Sequence, residues 1–449
     1  MKRKIYNKLL EWKEQRNGAT AVLIEGARRI GKSYIVEEFA RNEYDSYLLI
    51  DFNKADKVVW TWFDTLLEDL DTLLMNLQIH YGTRLTPGKS VVVFDEVQLC
   101  PRARAAIKYL VADGRFHYIE TGSLVSIKKN VRDIVIPSEE EAMPMFPMDF
   151  EEFLWAIGND LLMPYIRQCF EKHQPMGAHH RKAMEYLRTY MIVGGMPQAI
   201  QMFVDSRDFD KVDQVKRGIL RVYTNDISKY AAGLEHKVKS IFDQIPAQLQ
   251  RHEKKFRLSA LEAGATYRDY DDAFFWLADA GIVNICYNCT APNVGLRLNM
   301  ERNTLKCYMG DTGLLISHAF DENGKVPVEL YQKLLLNKLE LNQGMIVENI
   351  VAQMLAASQR KLYFYSNSSR DDASERMEID FLTAKSKLTA RHNITPIEVK
   401  SSQRYTLSSL RKCVEKFGEY LTTPVVLHGA DLKEENGVLF LPLYMAPLI

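Results

Sequence analysis

The 449-residue sequence has no net charge, with 58 Lys and Arg against 58 Asp and Glu. Bulk electrostatics therefore supplies no attraction to a polyanion, and any contact with nucleic acid must come from a local patch. Long apolar runs are missing too, which excludes a spanning helix. The opening "MKRKIYNKLLEWKEQRNG" has basic residues but no continuous apolar core. Its Ile5, Leu9, Leu10 and Trp12 fall on one helical face, so it reads as an amphipathic helix and not as a signal peptide. Cysteine is scarce, with six residues in the chain. Cys286 and Cys289 form a C-x-x-C, but no second pair answers it, and the surrounding "GIVNICYNCT" reads as strand. A disulfide scaffold and a four-thiolate zinc site are thereby excluded. Reduced thiols, a cytoplasmic location and no membrane partner are expected. A chain of this length calls for two to four domains.

The most informative stretch present is "AVLIEGARRIGKSYIVEEFA". Residues 21–25 form a buried-strand run, and Ile35, Val36 and Phe39 give the period of a following helix. Between them Gly26-Ala-Arg-Arg-Ile-Gly31-Lys32-Ser33 fits the phosphate-binding pattern G-x-x-x-x-G-K-[ST]. Glycines let backbone N–H groups converge on one point, and the helix N-terminus adds positive potential there. Gly26, Arg28, Arg29, Gly31, Lys32 and Ser33 are the candidate nucleotide-binding residues. Lys32 is expected to reach the β- and γ-phosphates of ATP, and Ser33 to ligate Mg2+. A second strand, "SVVVFDEVQ", ends in Asp95-Glu96. Asp95 is expected to hold Mg2+ through water, and Glu96 to orient or deprotonate the attacking water. A third, "FHYIETGS", ends in Thr121 and Ser123, of which Ser123 is the favoured polar sensor of the γ-phosphate. With "YLLIDFN" (47–53) and a last strand "MPMFPMDF" (143–150), the order implies a parallel sheet with the Asp95 strand in its middle.

At these residues the chain resembles the prokaryotic AAA-fold ATPases whose C-terminal half is a domain of unknown function. "GARRIGKS", "VVVFDEVQ", "ETGS" and "FPMDFEEFL" carry the likeness in the first half. "GGMPQAI" (194–200), "NDISKY" (225–230), "GDTGLL" (310–315), "EIDF" and "IEVKSS" carry it in the second. The resemblance implies an ATPase that assembles as a homo-oligomer, a hexamer being the common form. Many relatives have an arginine soon after the sensor strand, and Arg132 is the nearest counterpart here. Arg217 and Arg221 are candidates for an arginine that approaches the nucleotide.

The expected architecture is α/β in four parts. An AAA-type P-loop core spans 1–150 and a helical lid 151–235. A winged-helix-like module spans 236–325, with "KVKSIFDQIPAQLQ", "LSALEAGAT" and "YRDYDDAFFWLADAGIV" as helices and "VNICYNCT" and "TLKCYMG" as wing strands. Beside the first helix, "RHEKKFR" sets Arg251, Lys254, Lys255 and Arg257 against one acid, a candidate patch for duplex or branched DNA. Residues 326–449 read as a small restriction-endonuclease-like α/β domain, with a helix, three strands, a helix and a strand. Residues i and i+2 on a strand share a side, so Glu398 and Lys400 in "ITPIEVKSS" point together. Asp380 lies on the neighbouring strand and Glu348 on the helix before it, with Glu378 in reserve. Glu348, Asp380 and Glu398 are thus candidate ligands for Mg2+ or Mn2+, with Lys400 activating water. The arrangement resembles that of archaeal Holliday-junction resolvases, which makes branched DNA the expected substrate. The alternative is a nucleotide-switched regulator or scaffold whose nuclease-like domain binds without cutting.

Overall fold

The computed structural model describes residues 1–123, 136–231, 233–321, 324–336, 338, 343–367, 375–385, 392–402 and 404–449. The chain divides into two compact units, Met1–Phe146 with Asp279–Gly281, and Pro147–Ala278 with Ile282–Ile449. Arg132 lies outside the described residues.

The first unit is a five-stranded parallel sheet. Its strands are β1 (Ala21–Glu25), β2 (Ser46–Asp51), β3 (Ser90–Asp95), β4 (His117–Gly122) and β5 (Glu140–Pro144), in the order β2-β3-β4-β1-β5. Every residue of β3 and β4 is buried, which is why these segments read as continuous runs and not as alternation. Phe52, Phe63, Phe94 and Leu73 join one face of the sheet to the helices Lys57–Thr65 and Leu70–Tyr81. The middle strand is β4, and the Asp95 strand lies between it and β2. Hydrophobic pattern identifies a buried strand but does not rank its neighbours. The last strand is also displaced from the expected 143–150. Pro144 and Pro147 offer no N–H, so pairing beyond β5 ends with Met145 N–H on the Glu25 carbonyl, 2.8 Å. Asp149 then caps the helix Phe150–Ala156 in a reciprocal bond with Glu152.

The second unit begins with helices, among them His180–Val193, Pro197–Ser206 and Phe209–Tyr230. The helix Glu235–Gln250, the short turn Leu258–Ala260 and the helix Tyr267–Asp279 follow in the order expected of the winged-helix segment. The strands expected as its wing are β6 (Val283–Cys289) and β7 (Met300–Met309). They do not stand alone. With β8 (Leu362–Asn367), β9 (Met377–Ala384), β10 (Ile394–Val399), β11 (Val425–His428), β12 (Lys433–Glu435) and β13 (Val438–Pro442) they make one eight-stranded sheet, ordered β12-β13-β11-β10-β9-β8-β6-β7. Parallel pairing of β6 with β8, Cys286 opposite Leu362, is the join. A boundary at 325/326 therefore runs through a shared sheet. β8 pairs with β9 on one side, and the hairpin covers its other edge.

Two glycine-bearing motifs meet inside this unit. Gly194 sits at φ 81°, and a Cβ there would lie 2.3 Å from an Asp311 carboxylate oxygen. Asp311 instead accepts the Gly195 N–H at 2.5 Å and caps the helix Thr312–Ala319 through Leu314 N–H at 2.9 Å. "GGMP" and "GDTG" are thus the two halves of one close backbone contact. Gln353, on the helix Gln343–Ala357, extends it by accepting from Thr312 N–H (2.7 Å) and donating to the Tyr190 hydroxyl (2.9 Å).

Candidate functional site

The turn between β1 and the helix Lys32–Glu43 is built for an anion. A Cβ on Gly26, at φ 152°, would meet the Met145 carbonyl at 2.2 Å, so only glycine fits there. Arg29 (φ 68°) and Gly31 (φ 91°) also take positive φ, curling the loop toward the helix. Arg3 is buried and donates to the Ile30 carbonyl at 2.7 Å and the Phe146 carbonyl at 2.7 Å, bracing the loop from behind. Lys32 is folded back, donating to the carbonyls of Gly26 (3.0 Å) and Ala27 (2.9 Å). Burial pulls its ammonium down to about 8 against the raising charges of Glu96 and Asp95. These two carbonyls hold the ammonium at the loop's centre. Arg28 is half-buried and Arg29 exposed.

Asp95 ends β3 and receives two hydroxyls. Ser33 Oγ donates to its Oδ1 at 2.8 Å, and Thr121 Oγ1 donates to the same oxygen. Burial raises the Asp95 carboxyl, and these two donors oppose the rise. Ser33 and Asp95 are the pair that would hold Mg2+ arriving with nucleotide, and their direct bond shows that hydroxyl and carboxylate face one point. The ion, when bound, neutralises phosphate charge. Thr121 Oγ1 also accepts the Glu96 N–H at 3.2 Å. Glu96 itself takes φ 56°, a strained setting for a residue with a side chain, and Gln98 Nε2 donates to its carboxylate. One threonine thus links the metal-facing acid to the backbone of the candidate base. Ser123, favoured from the sequence, is buried at the mouth of the same strand. Thr121 is the residue bonded to both acids' positions. Arg3 and Gln98 carry no motif that a sequence reading could use.

The C-terminal acids are arranged differently from the expectation. Tyr363 opposes Leu382 and Tyr365 opposes Ile379, so one residue of β8, Phe364, faces two of β9, Asp380 and Phe381. This bulge falls at Asp380-Phe381 and turns both toward the side of Tyr308, whose ring meets Phe381 at 5.6 Å. On that side stands Lys306, a fully buried ammonium. It lies 3.2 Å from Glu348, 2.8 Å from Glu378 and 3.7 Å from Asp380. Lys254 and the Tyr308 hydroxyl also bond Glu348. Burial raises the Glu348 carboxyl, but Lys306, Lys254 and Tyr308 outweigh it and leave it at about 2. Burial and the Glu348 charge push Asp380 up to about 6. Its Oδ2 accepts Val399 N–H at 2.8 Å.

Glu398 is on the other side. It shares the parity of Ile394, which packs with Leu410 and Cys413 of the helix Ser408–Phe417. Its partner is Lys400, 2.5 Å away. The expected ligand set Glu348, Asp380 and Glu398 is therefore split by the sheet. Where a cation would sit among Glu348, Glu378 and Asp380, the chain supplies its own. Among the described residues no group of three or more His, Cys, Asp or Glu is arranged to hold a metal ion. The acids present do not fit Mg2+ or Mn2+ at this place. Lys306 and Lys254 were missed because both come from other segments. The available signal was a lysine and a tyrosine two apart in the apolar strand "TLKCYMG".

The basic patch shrinks accordingly. Lys254 is turned inward onto Glu348, and Arg257 pairs with Glu253 at 3.4 Å. Arg251 is exposed and Lys255 half-buried. Arg217 is held by Asp213 and Asp321, each at 2.7 Å, while Arg221 is exposed. All six cysteines are free and buried, Cys286 and Cys289 included. Among the described residues no helix is long and apolar enough to cross a membrane.

Residues 18–154 match the family model of an AAA domain. Residues 184–323 match a domain of unknown function (DUF8612), and residues 343–445 another (DUF4143). No curated protein matches the chain. Among solved structures, the Walker-type ATPase PABY2304 of Pyrococcus abyssi is similar at 15% identity and a TM-score of 0.41, over 71% of this chain and 95% of that one. PCH-2 of C. elegans aligns at 14% identity and a TM-score of 0.25, over 46% of this chain and 60% of that one. The signal-transduction ATPase PH0952 of Pyrococcus horikoshii, with a tetratricopeptide-repeat sensor, aligns at 10% identity and a TM-score of 0.28, over 80% of this chain and 45% of that one. The AAA-domain match covers the loop, Asp95, Glu96 and Thr121. The chain therefore carries an AAA-type P-loop ATPase domain on an α/β fold.

Proposed function

We propose that the protein is a nucleotide-switched regulator or scaffold, in which ATP binding and hydrolysis set the state of a C-terminal half that binds a partner without cutting it. It works as a cytoplasmic homo-oligomer using ATP and Mg2+. The ATPase half of the reading rests on Asp95 receiving Ser33 and Thr121 at one oxygen while Thr121 also holds Glu96. In this reading Lys32 holds the phosphates, Glu96 takes the proton of the attacking water, and Thr121 keeps the two acids in register.

The observation that favours binding over cutting is Lys306 at the centre of Glu348, Glu378 and Asp380. A nuclease of the expected kind needs a divalent cation where this ammonium stands, and needs Glu398 on the same side as Asp380. The test is incubation of the full chain with linear and branched DNA, in Mg2+ and then Mn2+. The expected result is intact DNA. Cleavage that disappears in both Asp380→Ala and Lys400→Ala would restore the nuclease reading.

DNA as the bound partner is a second reading, favoured by exposed Arg251 beside half-buried Lys255 in a segment of winged-helix order. Fluorescence anisotropy with duplex and four-way DNA tests it. Arg251→Glu with Lys255→Glu should weaken binding and flatten its salt dependence. Equal binding by the double variant sinks this second reading and leaves a protein partner.

A further inference from the structure

A cavity beside Lys400 is lined by none of Glu348, Glu378 and Asp380. Its volume is about 390 Å³, within the range of small-molecule sites. It opens where the parallel strands β10 and β11 end. Lys400, Ser401 and Ser402 follow β10, and Gly429 and Ala430 follow β11. The carboxyl ends of parallel strands are where open α/β sheets place ligands. The first turns of the helix Gln343–Ala357 contribute Gln343, Ile346 and Val347, so that helix's positive end lies at the same wall.

The lining has one sign of charge. Arg188, Lys400 and Lys433 are its cations, and none of its lining residues is acidic. Arg188 stands out because its Nε is buried without a hydrogen-bond partner. Burial lowers its guanidinium from the usual value, and the Glu185 charge opposes the fall. Lys400 and Lys433 each give one donor to a neighbouring acid, Glu398 at 2.5 Å and Glu435 at 2.6 Å, and an ammonium has three. Ser401 adds a hydroxyl, while the Ser402 hydroxyl already donates to the Arg404 carbonyl at 2.8 Å and the Tyr405 hydroxyl bonds His428 Nδ1 at 3.2 Å. The rest is apolar. Met184 and Met191 lie on the same face of the helix His180–Val193 as Arg188, at spacings of four and three. Thioethers of this kind make favourable contacts with an aromatic ring. Burial lowers the His428 imidazole from its usual value, against the raising contact with Asp431.

We infer that this cavity is a binding site for a small phosphate monoester with a planar apolar body, of mononucleotide size, separate from the ATP site. Arg188 and Lys400 take the phosphate, the Ser401 hydroxyl adds to its shell, and the methionines line the ring. The inference does not depend on ATP hydrolysis or on any partner of the C-terminal half.

The experiment uses the full chain carrying Lys32→Ala, which removes the phosphate grip of the P-loop. AMP, phenyl phosphate, adenosine and inorganic phosphate are titrated by calorimetry. AMP or phenyl phosphate should bind one per chain, with adenosine and inorganic phosphate at least tenfold weaker. Arg188→Gln on this background should weaken the monoester at least tenfold. Gly429→Leu supplies a second variant, since a Cβ there meets nothing within 4 Å, and its side chain should narrow the mouth with a similar loss. The inference is overturned if neither monoester binds at millimolar concentration, or if binding survives both substitutions undiminished. Adenosine binding as well as AMP would overturn the assignment of an anion site.

Discussion

Two groups of buried acids in this molecule, built from the same residue types, reach opposite chemical states. Asp95 is met by hydroxyls, from Ser33 and Thr121. Glu348, Glu378 and Asp380 are met by an ammonium, Lys306. A hydroxyl satisfies a lone pair and leaves the charge standing, so the first group still calls for a cation. An ammonium satisfies both, so the second calls for none. The identity of the acids is thus a poor guide to metal chemistry, and the identity of their donors is a good one.

The sharpest way to break this contrast is at the open site. Lys32→Ala should abolish measurable ATP binding at the P-loop, and Glu96→Gln should lower kcat by about 10²–10⁴ while ATP still binds. A coupled phosphate-release assay with a nucleotide-binding measurement separates the two. At the closed site, Lys306→Met takes the ammonium from Glu378 and Asp380 and leaves Glu348 with Lys254 and Tyr308, which should cost about 3–5 kcal/mol in denaturant unfolding. Mn2+ should restore part of that loss in the variant and do nothing for the wild type. If Mn2+ stabilises the wild type equally, the closed site is open after all.

A pH series sharpens the same contrast. Asp380 is raised in the fold from 3.8 to about 6, so its share of stability is present below pH 4 and is lost as pH rises through 6. Asp380→Asn should therefore gain on the wild type between pH 4 and 7, by on the order of 2–3 kcal/mol. Glu348, lowered to about 2, acts in reverse, contributing above pH 4.5 and losing its share only as pH falls toward 2. The smallest effect is expected within the open site. Thr121→Val should cut kcat about tenfold, the scale of one hydrogen bond near a charge. Ser123→Ala should cost less, and the reverse ranking would return the sensor role to Ser123.

What was legible in the sequence was local. A P-loop is eight consecutive residues whose backbone does the work, and Asp95-Glu96 ends a strand whose burial is plain from its composition. The helices and strands of both halves also stood in expected order, from "KVKSIFDQIPAQLQ" to "TPVVLHG". Strand order was not legible, because a buried run announces no neighbour. The C-terminal site failed for a sharper reason. The period of two that put Glu398 and Lys400 on one side is sound, but a single extra residue in β9 moves Asp380 to the opposite side. Lys306 and Lys254, which fill the space, lie far from the acids along the chain. Asp311 shows the converse. Its motif carried only the family likeness, and its contacts are those of a backbone clasp around Gly194 and Gly195.

The pairing of β6 with β8 has a consequence for how the chain comes into being. The β6–β7 hairpin is made early, yet the strand it adds to must still be synthesised through Leu362 and beyond. At roughly 5–20 residues per second, a ribosome holds that hairpin for several seconds with one edge bare. Over that interval the nascent hairpin offers its free N–H and C=O groups to any extended segment nearby, which makes the emerging chain, more than the finished one, the form that a chaperone must guard.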